Sequence, residues 1–398
     1  MMNPDLERLQ SYPFERLRKL FADITPNAEL APITLGIGEP QHPAPQFVVE
    51  SLQQHLPLLA KYPATRGIAE LRQAIANWLQ QRFSLAQVDP ETQVLPVSGT
   101  REGLFAIAQC LIDRSSNPLV LAPNPFYQIY EGAALLAGAD LHLLDCTSEN
   151  QFSPDFSAVP AAVWQRCQML YICTPGNPTG KVMGAADLQA LIELAQRYDF
   201  VIVSDECYSE IYPDETQPPL GLLQVCEQMG LQDYRRCLVF HSLSKRSNLP
   251  GLRSGFVAGD ATLLQQFLLY RTYQGCAMPM QNQWASAAAW SDETHVRHNR
   301  ELYRSKFTAV CEILGDCLDY SQPEAGFYLW PQTPIDDTEF ARGLLQQHNL
   351  TVLPGRYLAR DSDGGLNPGS HRVRLALVAP ESQCVEAAHR IKRYVESL

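Results

Sequence analysis

The eleven cysteines of this 398-residue chain are odd in number and scattered, with no C-x-x-C pair. Neither a disulfide framework nor a zinc knuckle is therefore expected. Basic residues are also short: 31 Lys and Arg stand against 43 Asp and Glu, a formal net charge of -12. A nucleic-acid-binding surface needs clustered cations to neutralise phosphates, so that class is excluded, and any anionic ligand must be met by individual arginines. No apolar run approaches a membrane span, and the first residues, "MMNPDLERLQSYPFERLRKLF", carry charge throughout where a signal peptide has an apolar core. The expectation is a protein of the cytoplasm with no membrane partner. His295 and His298 stand three apart on a charged helix with no third ligand, which reads as a solvated face rather than a metal site. Internal repeats and low-complexity segments are absent as well.

The stretch "TPGNPTGKV" (174–182) follows an apolar run and ends in Gly-Lys, as a nucleotide-binding P-loop does. Its spacing is wrong. Three residues, not four, separate Gly176 from Gly180, and Val182 occupies the place of the magnesium-binding hydroxyl. Pro178 also removes a backbone donor that a phosphate cradle would use.

Short apolar runs alternate with segments of helical period, which favours βαβ units and a mainly parallel sheet. Strands are expected at "PLVLA" (118–122), "ADLHLL" (139–144), "MLYIC" (169–173), "FVIVSD" (200–205), "CLVFHSLS" (237–244) and "GFVAGD" (255–260). Helices are expected over 100–112, 185–199 and 261–273. Ligands of such sheets gather at the carboxyl ends of the strands, where Asn177, Asp205 and Lys245 each follow an apolar run. From about Ser291 a long charged helix leads into a different texture. The expected organisation is a large α/β domain over residues 41–295 and a smaller α+β domain from 1–40 and 296–398.

A lysine just past a buried strand, as Lys245 is in "HSLSKRSNLPGLRSG" (241–255), can keep its amine partly desolvated and so ready for Schiff-base chemistry. Read alone it is more simply a solvated lysine. Ser242, Ser244 and Arg253 stand close enough in sequence to meet one phosphate. Asp205 in "SDECYSEIY" offers a carboxylate that could keep a pyridinium nitrogen protonated, with Tyr208 one turn on. The plainer alternative is Asp205 as a helix cap and Tyr208 in the core.

Taken together and in order, "LGIGEP", "YPATRGIAELRQAI", "SGTREGL", "NPFYQIY", "PGNPTG", "SDECYSEIY", "SLSKRSNLPGLRSG" and "VRLAL" resemble the class I aminotransferases of pyridoxal-phosphate fold type I. The resemblance implies a helix-flanked, mainly parallel sheet, pyridoxal 5'-phosphate as cofactor, and a homodimer with shared sites. It implies Lys245 as the attachment and proton-transfer residue, with Asp205 and Tyr208 tuning the ring. Gly99, Thr100, Arg101, Ser242, Ser244 and Arg253 are implied around the phosphate, and Tyr127 stacks on the ring. Asn177 would meet the phenolic oxygen and the substrate carboxylate, with Pro178 cis. Tyr62 would reach the phosphate of the neighbouring subunit. Arg374 is implied as the fork for the substrate α-carboxylate, with Gly38 giving close backbone access.

Longer strings, "SYPFERLRKLF", "SLSKRSNLPGLRSGFVAGD" and "LLYRTYQGCAMP", are most similar to the proteobacterial succinyldiaminopimelate aminotransferases. That implies L-glutamate as donor and N-succinyl-2-amino-6-oxopimelate as acceptor, with Arg66, Arg246 and Arg271 as candidates for its distant carboxylates. An aspartate or aromatic aminotransferase, or a cysteine-conjugate β-lyase, would share the cofactor residues. A non-enzymatic regulator would need an attached DNA-binding module.

Overall fold

A computed structural model describes residues 3–315, 317–362 and 364–398. Twelve strands occur among them: β1 Ile33–Thr34, β2 Val94–Val97, β3 Leu119–Asn124, β4 Asp140–Asp145, β5 Cys167–Cys173, β6 Val201–Asp205, β7 Cys237–Ser242, β8 Gly255–Gly259, β9 Tyr328–Leu329, β10 Leu350–Thr351, β11 Leu353–Pro354 and β12 Val373–Ala376. Seven of them form one sheet in the order β2-β8-β7-β6-β5-β3-β4. Only β8 runs against its neighbours.

Strands β6, β7 and β8 are buried along their whole length, as a parallel sheet covered on both faces requires. Side chains alternate between the two faces. Ile202 of β6 points into a core shared with Leu71, Trp78, Leu191 and Trp290. Its neighbours Val201 and Val203 join Leu104, Tyr130 and Phe267 on the opposite side. This is the α/β, fold type I arrangement that the sequence resemblance implies.

A third core holds Ile33, Leu35, Leu314, Leu329, Phe340, Leu375 and Ile391 around the small sheet β11-β12-β9. All seven large-sheet strands lie between residues 94 and 259, and the third core draws on Ile33, Leu35 and residues from Val310 to Tyr394. On this we propose the division at 41–295. The helix Thr294–Leu314 carries Val310 and Leu314 into the third core, while Asn299 nearer its start bonds the Lys245 turn. No described helix is long and apolar enough to cross a membrane.

The strand β2, "VLPV", was not expected. Pro96 argues against a strand, and it is tolerated because β2 is the sheet's edge.

Candidate active site

The carboxyl ends of β5, β6 and β7 lie side by side, since Cys173 is in register with Asp205 and Asp205 with Phe240. They open on a cavity of about 580 Å³. Lys245 stands in the short helical turn Leu243–Arg246 directly after β7, and its Nζ donates to the Gly38 carbonyl at 2.6 Å. Burial pushes the amine down to about 8, opposed by the nearby Cys207 and assisted by the Arg374 charge. The solvated-lysine alternative does not hold.

Asp205 ends β6, and no helix starts after it, so it is not a helix cap. Its Oδ2 accepts from the Tyr130 hydroxyl at 2.8 Å and its Oδ1 from the Cys207 amide at 3.3 Å. Burial pushes this carboxyl up, and no cation among the described residues stands against it at hydrogen-bond distance. The Tyr208 and Tyr328 hydroxyls lie 3.0 Å apart in the cavity wall.

Arg374 on β12 spans the two sheets. Its Nη2 donates to the Gly36 carbonyl at 2.9 Å and its Nη1 to Asn177 Oδ1 at 3.0 Å, leaving Asn177 Nδ2 as the remaining donor of that amide. Arg374 lines the cavity, and its Nε is buried without a hydrogen-bond partner among the described residues. A guanidinium at this wall suits a carboxylate. Asn177–Pro178 is cis, as are Asn124–Pro125 and Thr174–Pro175.

On the opposite side Gly99 caps the helix Thr100–Leu111 at φ +83°, a conformation that favours glycine. A Cβ there would collide with the Arg253 guanidinium, so glycine alone lets the cation lie over the helix's free N–H groups. Ser242 and Ser244 line the same wall. A helix start, a guanidinium and two hydroxyls suit a dianionic phosphate. With the depressed Lys245 amine and the buried Asp205 carboxylate, the residues fit pyridoxal 5'-phosphate.

Arg101 stands in the first turn of the helix Thr100–Leu111, where its backbone N–H is expected to meet the phosphate, and its guanidinium is held apart: Nε donates to Tyr127 Oη at 2.8 Å and Nη2 to Tyr12 Oη at 2.9 Å. Tyr127 lines the cavity and packs edge-on against Tyr130. Gly38 also lines it, and a Cβ there would strike the Tyr328 hydroxyl.

Three arginines and one histidine lie elsewhere than the sequence suggests, while Tyr62 remains for a second copy. Arg271 is buried away from the cavity, donating to the Pro96 carbonyl at 2.7 Å and to Glu102 Oε2 at 2.9 Å. Arg246 is likewise buried, on the Ala289 carbonyl and Glu293. Arg66 sits on the surface against Glu91, outside the cavity. Within this chain the Arg271 and Arg246 guanidiniums are committed to the scaffold, and Arg66 makes a surface pair. His295 is not on a solvated face, since its Nδ1 meets Asp292 and its Nε2 meets Ser247 Oγ at 2.8 Å. Tyr62 is fully exposed and touches no part of this cavity.

Tyr130, Tyr328 and Tyr12 escaped the sequence reading. Only Tyr130 had a signal, standing one helical turn beyond Tyr127 in "NPFYQIY". Among the described residues no group of His, Cys, Asp or Glu is placed to hold a metal.

The family model for aminotransferase class I and II matches residues 31–391. An LL-diaminopimelate aminotransferase from Desulforudis audaxviator is 30% identical over 97% of this chain and 96% of its own. A solved aminotransferase from Neisseria meningitidis superposes with a TM-score of 0.94 at 48% identity, covering 98% of this chain and 99% of that one. A probable N-succinyldiaminopimelate aminotransferase from Thermus thermophilus gives a TM-score of 0.83 at 26% identity, over 96% and 98%. The chain belongs to the class I and II aminotransferases and depends on pyridoxal 5'-phosphate.

Proposed function

We propose that this aminotransferase moves the amino group of L-glutamate to an acceptor of diaminopimelate skeleton, N-succinyl-2-amino-6-oxopimelate. One observation carries the reading: three arginines line one cavity, and with Arg253 assigned to the phosphate, Arg374 on Asn177 and the Gly36 carbonyl and Arg101 held by Tyr12 and Tyr127 are left for carboxylates. Arg374 suits the carboxylate beside the reacting carbon, and Arg101 suits one far from it. Glutamate and a diaminopimelate derivative each carry both. The names of two relatives support the skeleton, one with and one without the succinyl group.

Pyridoxal phosphate, when bound, supplies an aldehyde that condenses with amines and a ring that withdraws electrons from the adjacent carbon. The chain's own residues do the rest. Lys245 takes and returns the proton at the substrate's Cα, with a basicity that burial has brought near neutrality. Asp205, braced by Tyr130, would offer a negative charge to the ring nitrogen. Ser242, Ser244, Arg253 and the start of the helix Thr100–Leu111 would hold the phosphate. Tyr208 and Asn177 would supply donors to the ring oxygen, and Tyr127 would pack on the ring. Tyr62 completes the phosphate site of a second copy, and exposed Leu59, Leu269 and Tyr273 are apolar surface that such a copy covers. We place this homodimer in the cytoplasm.

The test is a panel of acceptors with glutamate as donor, run on the native protein and on Arg101→Met. N-succinyl-2-amino-6-oxopimelate and the unsuccinylated 2-amino-6-oxo acid should be used by the native protein. Arg101→Met should raise their KM by about tenfold to a hundredfold, the loss of one charged hydrogen bond worth about 1.5–3 kcal/mol. Pyruvate should be little affected. Equal losses for long and short acceptors would overturn the substrate reading while leaving the family intact.

A further inference from the structure

One five-residue segment grips Lys245 at both ends. At the tip, the Gly38 carbonyl accepts from Nζ at 2.6 Å. At the root, His42 Nδ1 lies 2.8 Å from Asn299 Oδ1, and Asn299 Nδ2 lies 3.3 Å from the carbonyl oxygens of both Lys245 and Arg246. Behind the imidazole, Lys306 Nζ stands 2.6 Å from His42 Nε2 and 3.2 Å from the Val378 carbonyl.

The directions of these bonds fix one another. An ammonium has only hydrogens to give, so His42 Nε2 accepts, and a neutral imidazole then donates from Nδ1. Asn299 must present its oxygen to His42, where Asn248 Nδ2 also donates at 2.9 Å. Its two amide hydrogens are left for the Lys245 and Arg246 carbonyls. The chain of donation thus runs from Lys306 through His42 and Asn299 to the backbone of the reactive lysine. Lys306 and Asn299 are buried and His42 is half-buried, and burial lowers the affinity of Lys306 and His42 for their protons.

Asn299 and Lys306 belong to the helix Thr294–Leu314, which runs on into the third core. Its Tyr303 ring packs on the imidazole at 4.7 Å, and His298 of the same helix also disfavours the imidazole's charge. Glu381 and Cys384 of the helix Glu381–Glu396 face Lys306, while Cys207, Arg374, Glu39 and Asp205 surround the Lys245 amine. None of Lys306, His42 or Asn299 lines the cavity.

We propose that Lys306, His42 and Asn299 form a positioning relay that fixes the Lys245 backbone from behind, so that its free amine is returned to the Gly38 carbonyl rather than to solvent. This rests on Lys245 being the reacting amine. The relay also ties that position to the helix that reaches the third core.

The test compares two double variants, His42→Leu/Lys306→Met and His42→Asn/Lys306→Met. The first removes both buried polar partners together, a change close to neutral for folding. The second loses the same charge but keeps a donor near the place of Nδ1. Competitive labelling of the Lys245 amine across pH, read by peptide mass spectrometry on cofactor-free protein, reports its titration directly. The native amine should titrate near 8. In the Leu form the midpoint should lie roughly half a unit or more above that of the Asn form, because a less confined amine is better hydrated. After loading, kcat of the Leu form should be about tenfold lower than that of the Asn form at similar KM, the penalty of a misplaced reacting group. Coincident titrations and rates in the two variants would overturn the relay. Attachment of cofactor to another lysine would instead remove the reading beneath it.

Discussion

Tyr130 gives its hydroxyl hydrogen to Asp205 Oδ2 at 2.8 Å, at the buried carboxyl end of β6 in the middle of the large sheet. The tyrosine keeps one oxygen of the carboxylate fixed, and burial raises the carboxyl's affinity for a proton until a cation arrives opposite it.

Asp205→Asn should therefore fold and take up cofactor but transfer its amino group slowly. Losing one charge-assisted hydrogen bond, about 1.5–3 kcal/mol, corresponds to roughly a tenfold to hundredfold drop in the single-turnover rate with glutamate. Tyr130→Phe should lower the rate less, since the charge remains. Stopped-flow absorbance reads both, and native rates in Asp205→Asn would remove its assigned role.

Uptake of pyridoxal phosphate should follow the Lys245 amine. Its value is depressed to about 8, so the amine is protonated and unreactive below that pH and free above it. The rate of uptake should rise with pH through about 8 and then level off. An unperturbed lysine would keep the rate rising toward about 10.4. Absorbance after mixing cofactor-free protein with the cofactor at a series of pH values decides between the two.

Arg271→Met should weaken the fold and leave substrate choice alone. The guanidinium is buried on Glu102 and two backbone carbonyls, and breaking a buried pair costs about 3–5 kcal/mol. Urea unfolding should show that loss, with the ratio of long to short acceptors unchanged. A selective loss for long acceptors would return Arg271 to the substrate.

Most of the large sheet was legible because its strands are covered on both faces and read as unbroken apolar runs, such as "FVIVSD" and "CLVFHSLS". Lys245, Asp205 and Asn177 were legible because they follow those runs directly. What was hidden depends on long-range meetings. Nothing local marks Arg271 as the partner of Glu102, 169 residues away, or Tyr12 as the partner of Arg101, 89 away. An arginine's spacing from a motif did not reveal whether its guanidinium was already taken. The same limit hid His42 and Asn299, 257 residues apart.

Mixed dimers should separate a shared site from a self-contained one. Tyr62 is fully exposed in the single chain, and we assign it to the neighbouring subunit. Tyr62→Ala and Lys245→Ala chains are each expected to be weak or inactive alone. Co-expressed, they should form a heterodimer in which the Lys245-bearing site receives Tyr62 from the other chain, so activity should recover. No recovery in a verified heterodimer would place Tyr62 outside the partner's site.

Reductive trapping addresses Lys245 itself. The protein is loaded with pyridoxal phosphate, reduced with borohydride, digested and mapped by mass spectrometry. One phosphopyridoxyl group per chain should appear, on the peptide carrying Lys245, and prior incubation with glutamate should abolish it. A label on any other lysine, or a Lys245 label that glutamate leaves unchanged, would contradict the assignment of Lys245 as the residue that binds the cofactor and yields to substrate.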